Sequence, residues 1–445
     1  MILVHGLAIA GAATVRALQR RGADVVASDD TVDDAKRALA AELGVELVER
    51  PDGHRLRQLV AASELVVPAP GVPETHELFA IAAAAGRPVE SELELAYRWE
   101  QERPLGPRPM LAVTGTDGKT TTTLLAVAIL EAAGIRAVDA GNTDVPLVAA
   151  LDHDVDAFVV ECTSFRLAWT SSFRGDAAVW LNLAPDHLNW HTGMDTYEAA
   201  KARIFSQQRP DDVAIGFADD PVVLAHLRRA PGRRRTFAAS GADYHVADGH
   251  LCGPQGRLAP VASLRRALPH DLTNGLAAAA LTLEPGLATP DAVATALATF
   301  TGPRHRIELV GEAGGVRWFN DSKATTPHAA SVAIRAFDSV VLIAGGLNKG
   351  LDLAPMAAAA RGRVRAVVAI GQSADLVADA FAATGAVVTA TSMEQAVEVA
   401  GDVARDGDVV LLSPGCASFD WYSGYPARGD DFRRLVAART EGGTT

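Results

Sequence analysis

The sequence predicts an α/β fold of three domains, each built from parallel strands that alternate with helices. Short apolar runs of strand length alternate with Ala-rich helical segments along the whole chain. Polar residues follow several of these strands, as they do in parallel sheets that bind ligands. The length of 445 residues exceeds what one hydrophobic core accommodates. We place the domains at residues 1–107, 108–301 and 302–445.

The first domain opens with a strand over residues 2–5, a glycine turn over 6–11 and a helix. A second strand, over residues 24–28, ends at Asp29. Strand, glycine turn, helix, strand and acid form the Rossmann arrangement, in which the turn faces a pyrophosphate and the acid a ribose hydroxyl. Because Ala8 stands where a second glycine is usual, a Rossmann-like unit without a nucleotide remains an equal alternative.

The central domain begins with a phosphate-loop pattern. A strand over residues 110–113 leads into Gly115-Thr116-Asp117-Gly118-Lys119-Thr120-Thr121 and then into an Ala-rich helix. Glycines let backbone amides approach phosphate oxygens, the lysine supplies a full charge, and the first threonine after it can ligate Mg²⁺. The general spacing is not met, because Val113 takes the place of the first glycine; an ordinary glycine-rich turn is the alternative.

Polar residues at two further strand ends point to the same loop. The strand over 157–160 ends at Glu161, and the strand over 177–181 is followed by Asn182, Asp186 and His187. The carboxyl ends of parallel strands meet at one edge of a sheet. Glu161, Asp186 and His187 are therefore expected at the mouth of the phosphate loop.

The rest of the chain continues the alternation. We interpret Arg233-Arg234-Arg235 as a solvated loop and expect Asn274 to open an Ala-rich helix. In the third domain strands are predicted over 316–320, 339–344, 366–370, 386–389 and 408–412, with helices near 326–336, 353–361, 373–383 and 394–404. Polar clusters after these strands are Asp321-Ser322-Lys323, Asn348-Lys349 and Ser413 to Asp420.

Net charge, apolar runs and cysteine content exclude several classes of protein. A formal net charge of −13 argues against sequence-independent nucleic-acid binding. No apolar run reaches membrane-spanning length and no signal segment opens the chain, so we expect a cytoplasmic protein without membrane partners. Its three cysteines, Cys162, Cys252 and Cys416, are expected to be reduced. We also expect a monomer.

Eight segments together resemble the Mur ligase family of ATP-dependent peptidoglycan-precursor synthetases. They are GTDGKTT, SFRL, NLAPDHL, AAKARIF, RHRIE, NDSKAT, GGLNKG and LSPGCASFD, and they span the whole chain in order. The resemblance implies a Rossmann-like N-terminal domain for a UDP-sugar, a central P-loop ATPase-like domain and a Rossmann-like C-terminal domain for an amino acid. It implies an amide ligase that adds D-glutamate to UDP-N-acetylmuramoyl-L-alanine through an acyl phosphate, with ATP and two Mg²⁺ ions.

The resemblance also assigns the catalytic and nucleotide residues. It implies catalytic roles for Lys119, Glu161, His187 and Lys201, with Lys201 carbamylated. Metal ligands would be Thr120, Glu161, His187 and the carbamate of Lys201. ATP would be bound by Gly115, Thr116, Asp117, Gly118, Lys119, Thr120, Thr121, Asn274, Arg306 and Asp321.

The two other substrates are assigned in the same way. The UDP-sugar would be bound by Gly6, Ile9, Ala10, Asp29, Gly71, Asn142 and Thr163. The incoming amino acid would be bound by Lys323, Thr325, Lys349, Ser418, Phe419 and Tyr425. Two lysines and several hydroxyl donors suit an amino acid with two carboxylates.

Several positions depart from the family pattern. Asp117 and Asp271 replace asparagines expected near ATP, and this predicts weaker ATP binding. Thr163 and Arg166 stand where serine and glutamine are common. The alternatives are an L-glutamate-adding relative, another Mur-type ligase, and a nucleotide-binding regulatory protein that has lost turnover.

Overall fold

The computed structural model describes residues 1–441 and confirms the α/β class. Its contacts group the chain into two compact units, Met1–Phe300 and a second that begins at Thr301. The predicted boundary between residues 107 and 108 falls inside the first unit. The division into three domains therefore stays a prediction.

The first unit starts with a four-stranded parallel sheet of order β3-β2-β1-β4. Its strands are β1 (Ile2–His5), β2 (Val25–Asp29), β3 (Glu46–Glu49) and β4 (Leu65–Pro68). The helices of this region are α1 (Ile9–Arg20), α2 (Asp34–Leu43), α3 (Gly53–Ala62), α4 (Glu77–Ala84) and α5 (Glu92–Gln101). All residues of β1, β2 and β4 are buried, as expected for strands of a parallel sheet that helices cover.

A second sheet of six parallel strands follows, in the order β10-β9-β8-β5-β7-β6. Its strands are β5 (Met110–Thr114), β6 (Ala137–Gly141), β7 (Ala157–Glu161), β8 (Ala177–Trp180), β9 (Val213–Phe217) and β10 (Arg233–Phe237). The helices are α6 (Lys119–Ala132), α7 (Leu147–Ala150), α8 (Ser164–Leu167), α9 (Met194–Ser206), α10 (Pro221–Leu227), α11 (Pro269–Leu283) and α12 (Pro290–Thr299). Because β5 lies between β7 and β8, the loop after β5 is central in the sheet.

Two interpretations of this region were wrong. The Arg233-Arg234-Arg235 run is the start of edge strand β10 and not a loop, because charged side chains are well suited to an exposed sheet edge. Helix α11 opens at Pro269, and Asn274 lies within it. Between β10 and α11 lie three antiparallel strands, β11 (His245–Ala247), β12 (His250–Gly253) and β13 (Gly256–Pro260), and a 3₁₀ turn over Val261–Ser263.

The second unit contains a six-stranded sheet of order β14-β15-β19-β16-β17-β18, in which only the β14–β15 pair is antiparallel. Its strands are β14 (Glu308–Ala313), β15 (Val316–Asn320), β16 (Val340–Gly345), β17 (Val364–Ile370), β18 (Ala386–Ala390) and β19 (Val409–Leu412). The helices are α13 (Pro327–Arg335), α14 (Ala354–Ala360), α15 (Ala374–Phe381), α16 (Met393–Val403) and α17 (Tyr425–Glu441).

The predicted third-domain strands and helices are all found, but β14 and α17 were missed. A bulge near Leu309 and Gly311 interrupts the alternation that would identify β14. In α17 the core contacts are made by Phe432 and Val436, and the many charged residues around them hide this narrow apolar face. Within residues 1–441, no helix combines the length and the apolar character needed to cross a bilayer.

Candidate active site

The loop between β5 and α6 has the tight conformation that a phosphate loop requires. Gly118 has φ of 84°, and a Cβ atom there would lie 2.6 Å from Oδ1 of Asn274. Asn182, which follows β8, holds the loop from the other side. Its Oδ1 accepts hydrogen bonds from the backbone N–H groups of Thr116 and Asp117, both at 2.9 Å. Asn182 therefore preorganises the loop, and Asn274 packs so closely against Gly118 that a side chain would not fit there.

Lys119 lies at the first position of α6, where a phosphate-binding lysine is expected. Its Nζ donates to the carbonyl oxygens of Gly115 and Thr116, both at 2.8 Å. The remaining residues of the motif, Thr120 and Thr121, form the first turn of α6 with it. The helix N-terminus and the ammonium group together favour an anion at this position.

Lys201 of α9 is buried directly against the loop. Its side chain is 1% exposed, and its Nζ donates to the carbonyl oxygen of Gly115 at 2.6 Å. Burial lowers the pKa of Lys201 well below its ordinary value, and the charge of Lys119 lowers it further. The Nζ also lies 4.6 Å from the ring centroid of Tyr197. A buried lysine of lowered pKa is more often neutral and can react as an amine.

Glu161 ends β7, with Val113 of β5 on one side and Gly141 of β6 on the other. Its side chain is buried, and Oε1 accepts a hydrogen bond from Nδ2 of Asn142 at 2.8 Å. Oε2 is also buried and finds no hydrogen-bond partner within residues 1–441. An unsatisfied carboxylate oxygen beside a phosphate loop fits a hard cation such as Mg²⁺.

His187 lies in the loop after β8 in a strained conformation with φ of 55°. Its backbone N–H donates to Oδ1 of Asp186 at 2.7 Å, and its ring packs edge-on against Phe165. Burial lowers the pKa of His187; Asp186 opposes that shift, and the charges of Lys119 and Lys201 reinforce it. A neutral imidazole retains the lone pair that metal binding requires.

Two aspartates stand where the family pattern has asparagine, and the charge of one of them, Asp271, is compensated by a neighbouring arginine. Asp271 accepts two hydrogen bonds from the Arg266 guanidinium, at 2.6 and 2.7 Å, and one from the backbone N–H of Leu268. Its negative charge is therefore balanced locally. Asp117 is exposed; its backbone N–H donates to Oδ1 of Asn182, and its carbonyl oxygen accepts from Nδ2 of the same residue.

The glycine turn of the first sheet is stabilised by Asp29. Gly6 has φ of 97°, which a residue with a side chain rarely adopts. Asp29 accepts from the backbone N–H of Leu7 at 2.7 Å and from Nζ of Lys36 at 2.7 Å. Burial alone would raise the pKa of Asp29, but the hydrogen bonds from Lys36, Thr31 and Leu7 hold it below its usual range. No motif in the sequence indicated Lys36.

The other predicted UDP-sugar residues lie around this turn or beside Glu161. Ile9 and Ala10 open α1, and Ile9 is 75% exposed. Gly71 lies in the loop after β4, and this loop contacts the His187 loop because Nε1 of Trp190 donates to the carbonyl oxygen of Pro70 at 2.9 Å. Thr163 precedes α8, and its buried hydroxyl has no hydrogen-bond partner within the described part of the chain.

His5, Asp30 and His76 form a cluster near the same turn whose spacing would suit a metal. Oδ2 of Asp30 lies 3.5 Å from Nε2 of His5 and 2.9 Å from Nε2 of His76. However, Nδ1 of His76 accepts a hydrogen bond from the backbone N–H of Leu78 at 3.1 Å. The proton of neutral His76 is therefore on Nε2 and directed at Asp30, which makes this a histidine–carboxylate hydrogen bond and not a metal site.

In the second unit, five of the six predicted amino-acid residues lie in three loops at the carboxyl edge of the sheet, and the sixth, Tyr425, is the first residue of α17. The loops after β16 and β19 pair through two backbone hydrogen bonds between Leu347 and Ala417. The Nζ of Lys349 lies 5.4 Å from the Phe419 ring centroid. The loop after β15 carries Thr325 and Lys323, whose Nζ lies 5.4 Å from the Tyr425 ring centroid, and Ser418 lies in the loop after β19.

Two further features complete this edge. Asp321 accepts hydrogen bonds from the backbone N–H of Ile307 at 3.2 Å and from the hydroxyl of Ser413 at 2.7 Å, beside Arg306. Arg428, which no motif in the sequence indicated, is buried and donates to the hydroxyl and carbonyl of Ser322 and to the carbonyl of Cys416. It therefore ties the loops after β15 and β19 together.

Two family models match this chain. The Mur ligase middle domain matches residues 113–259, and the glutamate ligase domain of Mur ligases matches residues 305–416. A UDP-N-acetylmuramoylalanine–D-glutamate ligase from Frankia casuarinae is 43% identical over 98% of this chain and 94% of its own length. The chain belongs to the Mur ligase family.

Other Mur ligases are similar over most of the chain. An enzyme of the same name from Pelotomaculum thermopropionicum is 38% identical over 99% of this chain and 98% of its own length. The crystal structure of a MurF ligase from Thermotoga maritima in complex with ADP has a TM-score of 0.58 at 16% identity, over 85% of this chain and 95% of that one. That likeness shows that the Mur ligase fold is shared.

Proposed function

We propose that this Mur ligase is an ATP-dependent ligase that adds D-glutamate to UDP-N-acetylmuramoyl-L-alanine in peptidoglycan precursor synthesis. The observation that carries the proposal is the full-length similarity to ligases of that name, at 43% identity in the Frankia enzyme. The preorganised loop that bears Lys119, with Glu161, His187 and Lys201 around it, supports ATP as the energy source.

In the first step a terminal carboxylate oxygen of the alanyl group attacks the γ-phosphorus of ATP. A carbon-bound oxygen–phosphorus bond forms, the bond to the β,γ-bridging oxygen breaks, and ADP leaves. The residues of the loop from Gly115 to Thr121 would bind the phosphates, with Lys119 as the fixed cation. Asn274, Arg306 and Asp321 would contact the rest of the nucleotide.

Mg²⁺ would be held by Thr120, Glu161, His187 and a carbamate on Lys201, and its charge would neutralise neighbouring phosphates. The buried Oε2 of Glu161 and the neutral imidazole of His187 fit such an ion. A carbamate forms when the neutral Nζ of Lys201 adds to the carbon of CO₂ and loses a proton. The lowered pKa of Lys201 favours that reaction because it increases the fraction of free amine.

In the second step the amine of glutamate attacks the acyl carbon and inorganic phosphate leaves, so that an amide forms and a proton is released. Lys323 and Lys349 would bind the two carboxylates of glutamate, with Thr325, Ser418, Phe419 and Tyr425 around the amino acid. Gly6, Ile9, Ala10, Asp29 and Gly71 would bind the UDP group, and Asn142 and Thr163 the sugar side.

Phosphate release in the presence of ATP, Mg²⁺ and UDP-N-acetylmuramoyl-L-alanine tests the proposal. We expect release only when D-glutamate is added, with an amide product of matching mass. Faster phosphate release with L-glutamate than with D-glutamate would show that L-glutamate is the substrate. Equal release would show that the enzyme does not distinguish the two enantiomers. No release with any amino acid would contradict ligase function, provided that the protein is folded and binds ATP.

A further inference from the structure

Four side chains form a continuous hydrogen-bonded chain that ends at Glu161; three of them are buried, and the fourth, Asn142, is exposed. Nε of Arg166 donates to Oε1 of Glu92 at 2.9 Å, and Nη1 of Arg166 donates to Oδ1 of Asn142 at 2.8 Å. Nδ2 of Asn142 in turn donates to Oε1 of Glu161 at 2.8 Å. Glu92 is 2%, Arg166 5% and Glu161 1% exposed.

Arg166 and Glu161 together determine which way the Asn142 amide faces. A guanidinium has only donors, so the atom of Asn142 that meets it must be the carbonyl oxygen. The amide nitrogen is then fixed toward Glu161, which as a carboxylate has only acceptors. A glutamine at position 166 could present either its oxygen or its nitrogen, so the orientation of Asn142 would then depend on Glu161 alone.

The two carboxylate oxygens of Glu161 have different environments as a result of these hydrogen bonds. Oε1 is engaged by Asn142, whereas Oε2 is buried and has no hydrogen-bond partner within residues 1–441. A buried acceptor without a partner costs free energy unless a ligand satisfies it. The backbone N–H of Asn142 also donates to the carbonyl oxygen of Glu161 at 3.0 Å, so the two residues are held at both main chain and side chain.

Charge balance explains how an arginine is accommodated so close to a cation site. Glu92 pairs with Arg166 within a buried environment, and its Oε2 accepts from the backbone N–H of Val148 at 3.3 Å. The pair is neutral as a whole. Arg166 can therefore orient Asn142 without adding a net positive charge next to Glu161.

We propose that Arg166 is a positioning residue that acts through Asn142 to keep Oε2 of Glu161 available to a divalent cation. The inference rests on the proposed function in that the cation accompanies a nucleotide. It gives Asn142 a second role beside the one proposed in sugar binding, because its side-chain oxygen and nitrogen each have a protein partner and one N–H and one lone pair remain for a ligand. Asn142 then also bridges Arg166 and Glu161.

Mn²⁺ binding measured by electron paramagnetic resonance in the presence of a non-hydrolysable ATP analogue tests the proposal. We expect Arg166→Gln to weaken Mn²⁺ binding by about tenfold, a typical effect of losing a residue that orients a metal ligand. Affinity for the analogue without metal should be unchanged. Asn142→Ala should cause a similar loss, and the double variant Arg166→Gln with Asn142→Ala no more than either single change.

Arg108 offers a matched control, because it forms another arginine–glutamate pair, with Glu100, in the same unit, with side chains 9% and 2% exposed. Arg108→Gln should leave Mn²⁺ affinity at the wild-type value. If Arg166→Gln does not fold, the variant with both Glu92→Gln and Arg166→Gln removes both charges of the pair and is expected to show the same Mn²⁺ defect.

Wild-type Mn²⁺ affinity in folded Arg166→Gln, or an equal loss in Arg108→Gln, would overturn the proposal. Absence of Mn²⁺ binding by the wild-type protein would overturn it as well. If the wild type binds Mn²⁺ and the variants lose it, but no D-glutamate product forms, the positioning role stands while the proposed function fails.

Discussion

The Nζ of Lys201 donates to the carbonyl oxygen of Gly115 at 2.6 Å, which joins α9 to the first residue of the phosphate loop. Because Lys201 is buried and its pKa is lowered, the amine is suited to carbamylation. Lys201→Ala should lose activity by about 10³-fold, the scale expected when a group that stabilises transition-state charge is removed. Short carboxylic acids should restore part of it by occupying the space of the carbamate.

Carbon-13 bicarbonate labelling provides an independent measurement of the same prediction. The wild-type protein should show a carbamate resonance that Lys201→Ala lacks. Full activity of Lys201→Ala without any additive would remove Lys201 from the mechanism.

Lys119→Ala should abolish ATP turnover, because it removes the fixed cation at the N-terminus of α6. We expect phosphate release to fall by about 10³-fold while the melting temperature stays close to that of the wild type. Arg229→Ala, which removes an exposed cation from the same unit, is the control and should retain activity. Turnover at the wild-type rate in Lys119→Ala would refute the assignment of the phosphate loop.

The positions of the first-unit catalytic candidates could be predicted because they follow strand ends. Parallel strands place their carboxyl ends at one edge, so Glu161 and His187 had to lie near the loop after β5. Lys201 was different: nothing in a helical lysine predicts burial, and only the resemblance to a family identified it. Its contact with Gly115 depends on how α9 packs on the sheet.

Residues that act through other residues could not be predicted from sequence. Arg428 and Arg166 are buried cations, and charged residues are ordinarily assigned to the surface.

The lysines, in contrast, could be recognised by their scarcity. The 41 Lys and Arg residues include only five lysines, and four of them lie in the family motifs. The fifth is Lys36, which the structure places on Asp29.

Stability should fall as the pH drops below about 6.5, the ordinary pKa of histidine. His5 and His305 are buried, and burial lowers the pKa of each. The unfolded chain therefore takes up protons at these sites at a pH where the folded protein does not, so acid favours unfolding. Melting temperature measured from about pH 7.5 to about pH 5.5 should decrease.

A single substitution can separate this effect from general acid denaturation. His5→Asn keeps a nitrogen near Ser28, which His5 contacts through Nδ1 at 2.8 Å, and removes the titration. Its melting temperature should depend less steeply on pH than that of the wild type. The exposed His54→Asn control should follow the wild type, and an unchanged slope in His5→Asn would exclude His5 as a source of the acid sensitivity.

Glu94 of α5 should be essential to the stability of the first unit. It is fully buried and accepts hydrogen bonds from the backbone N–H groups of Ser171, Ser172 and Phe173 and from both serine hydroxyls. Glu94→Gln would direct an amide group against these donors and should lower the free energy of unfolding by about 3 kcal/mol in urea denaturation. Glu102→Gln, at the exposed end of α5, should change it by less than about 0.5 kcal/mol.

Lys36 should contribute to UDP-sugar binding by holding Asp29 in place. Its Nζ bonds to both carboxylate oxygens of Asp29, at 2.8 and 2.7 Å, and to the carbonyl oxygen of Thr31 at 2.7 Å. Lys36→Met removes these bonds and leaves the Asp29 carboxylate less fixed. We expect KM for the UDP-sugar to rise by about tenfold with little change in kcat or in KM for ATP, because the lost interaction is in ground-state binding of one substrate.

The neighbouring Arg37 provides the control for Lys36. It also lies on α2 and forms ion pairs, but with the surface residues Asp34 and Glu49. Arg37→Met should therefore leave KM for the UDP-sugar unchanged, since surface ion pairs contribute little. A rise in both variants would indicate that α2 as a whole had been disturbed, and an unchanged KM in Lys36→Met would show that Asp29 keeps its position without the lysine.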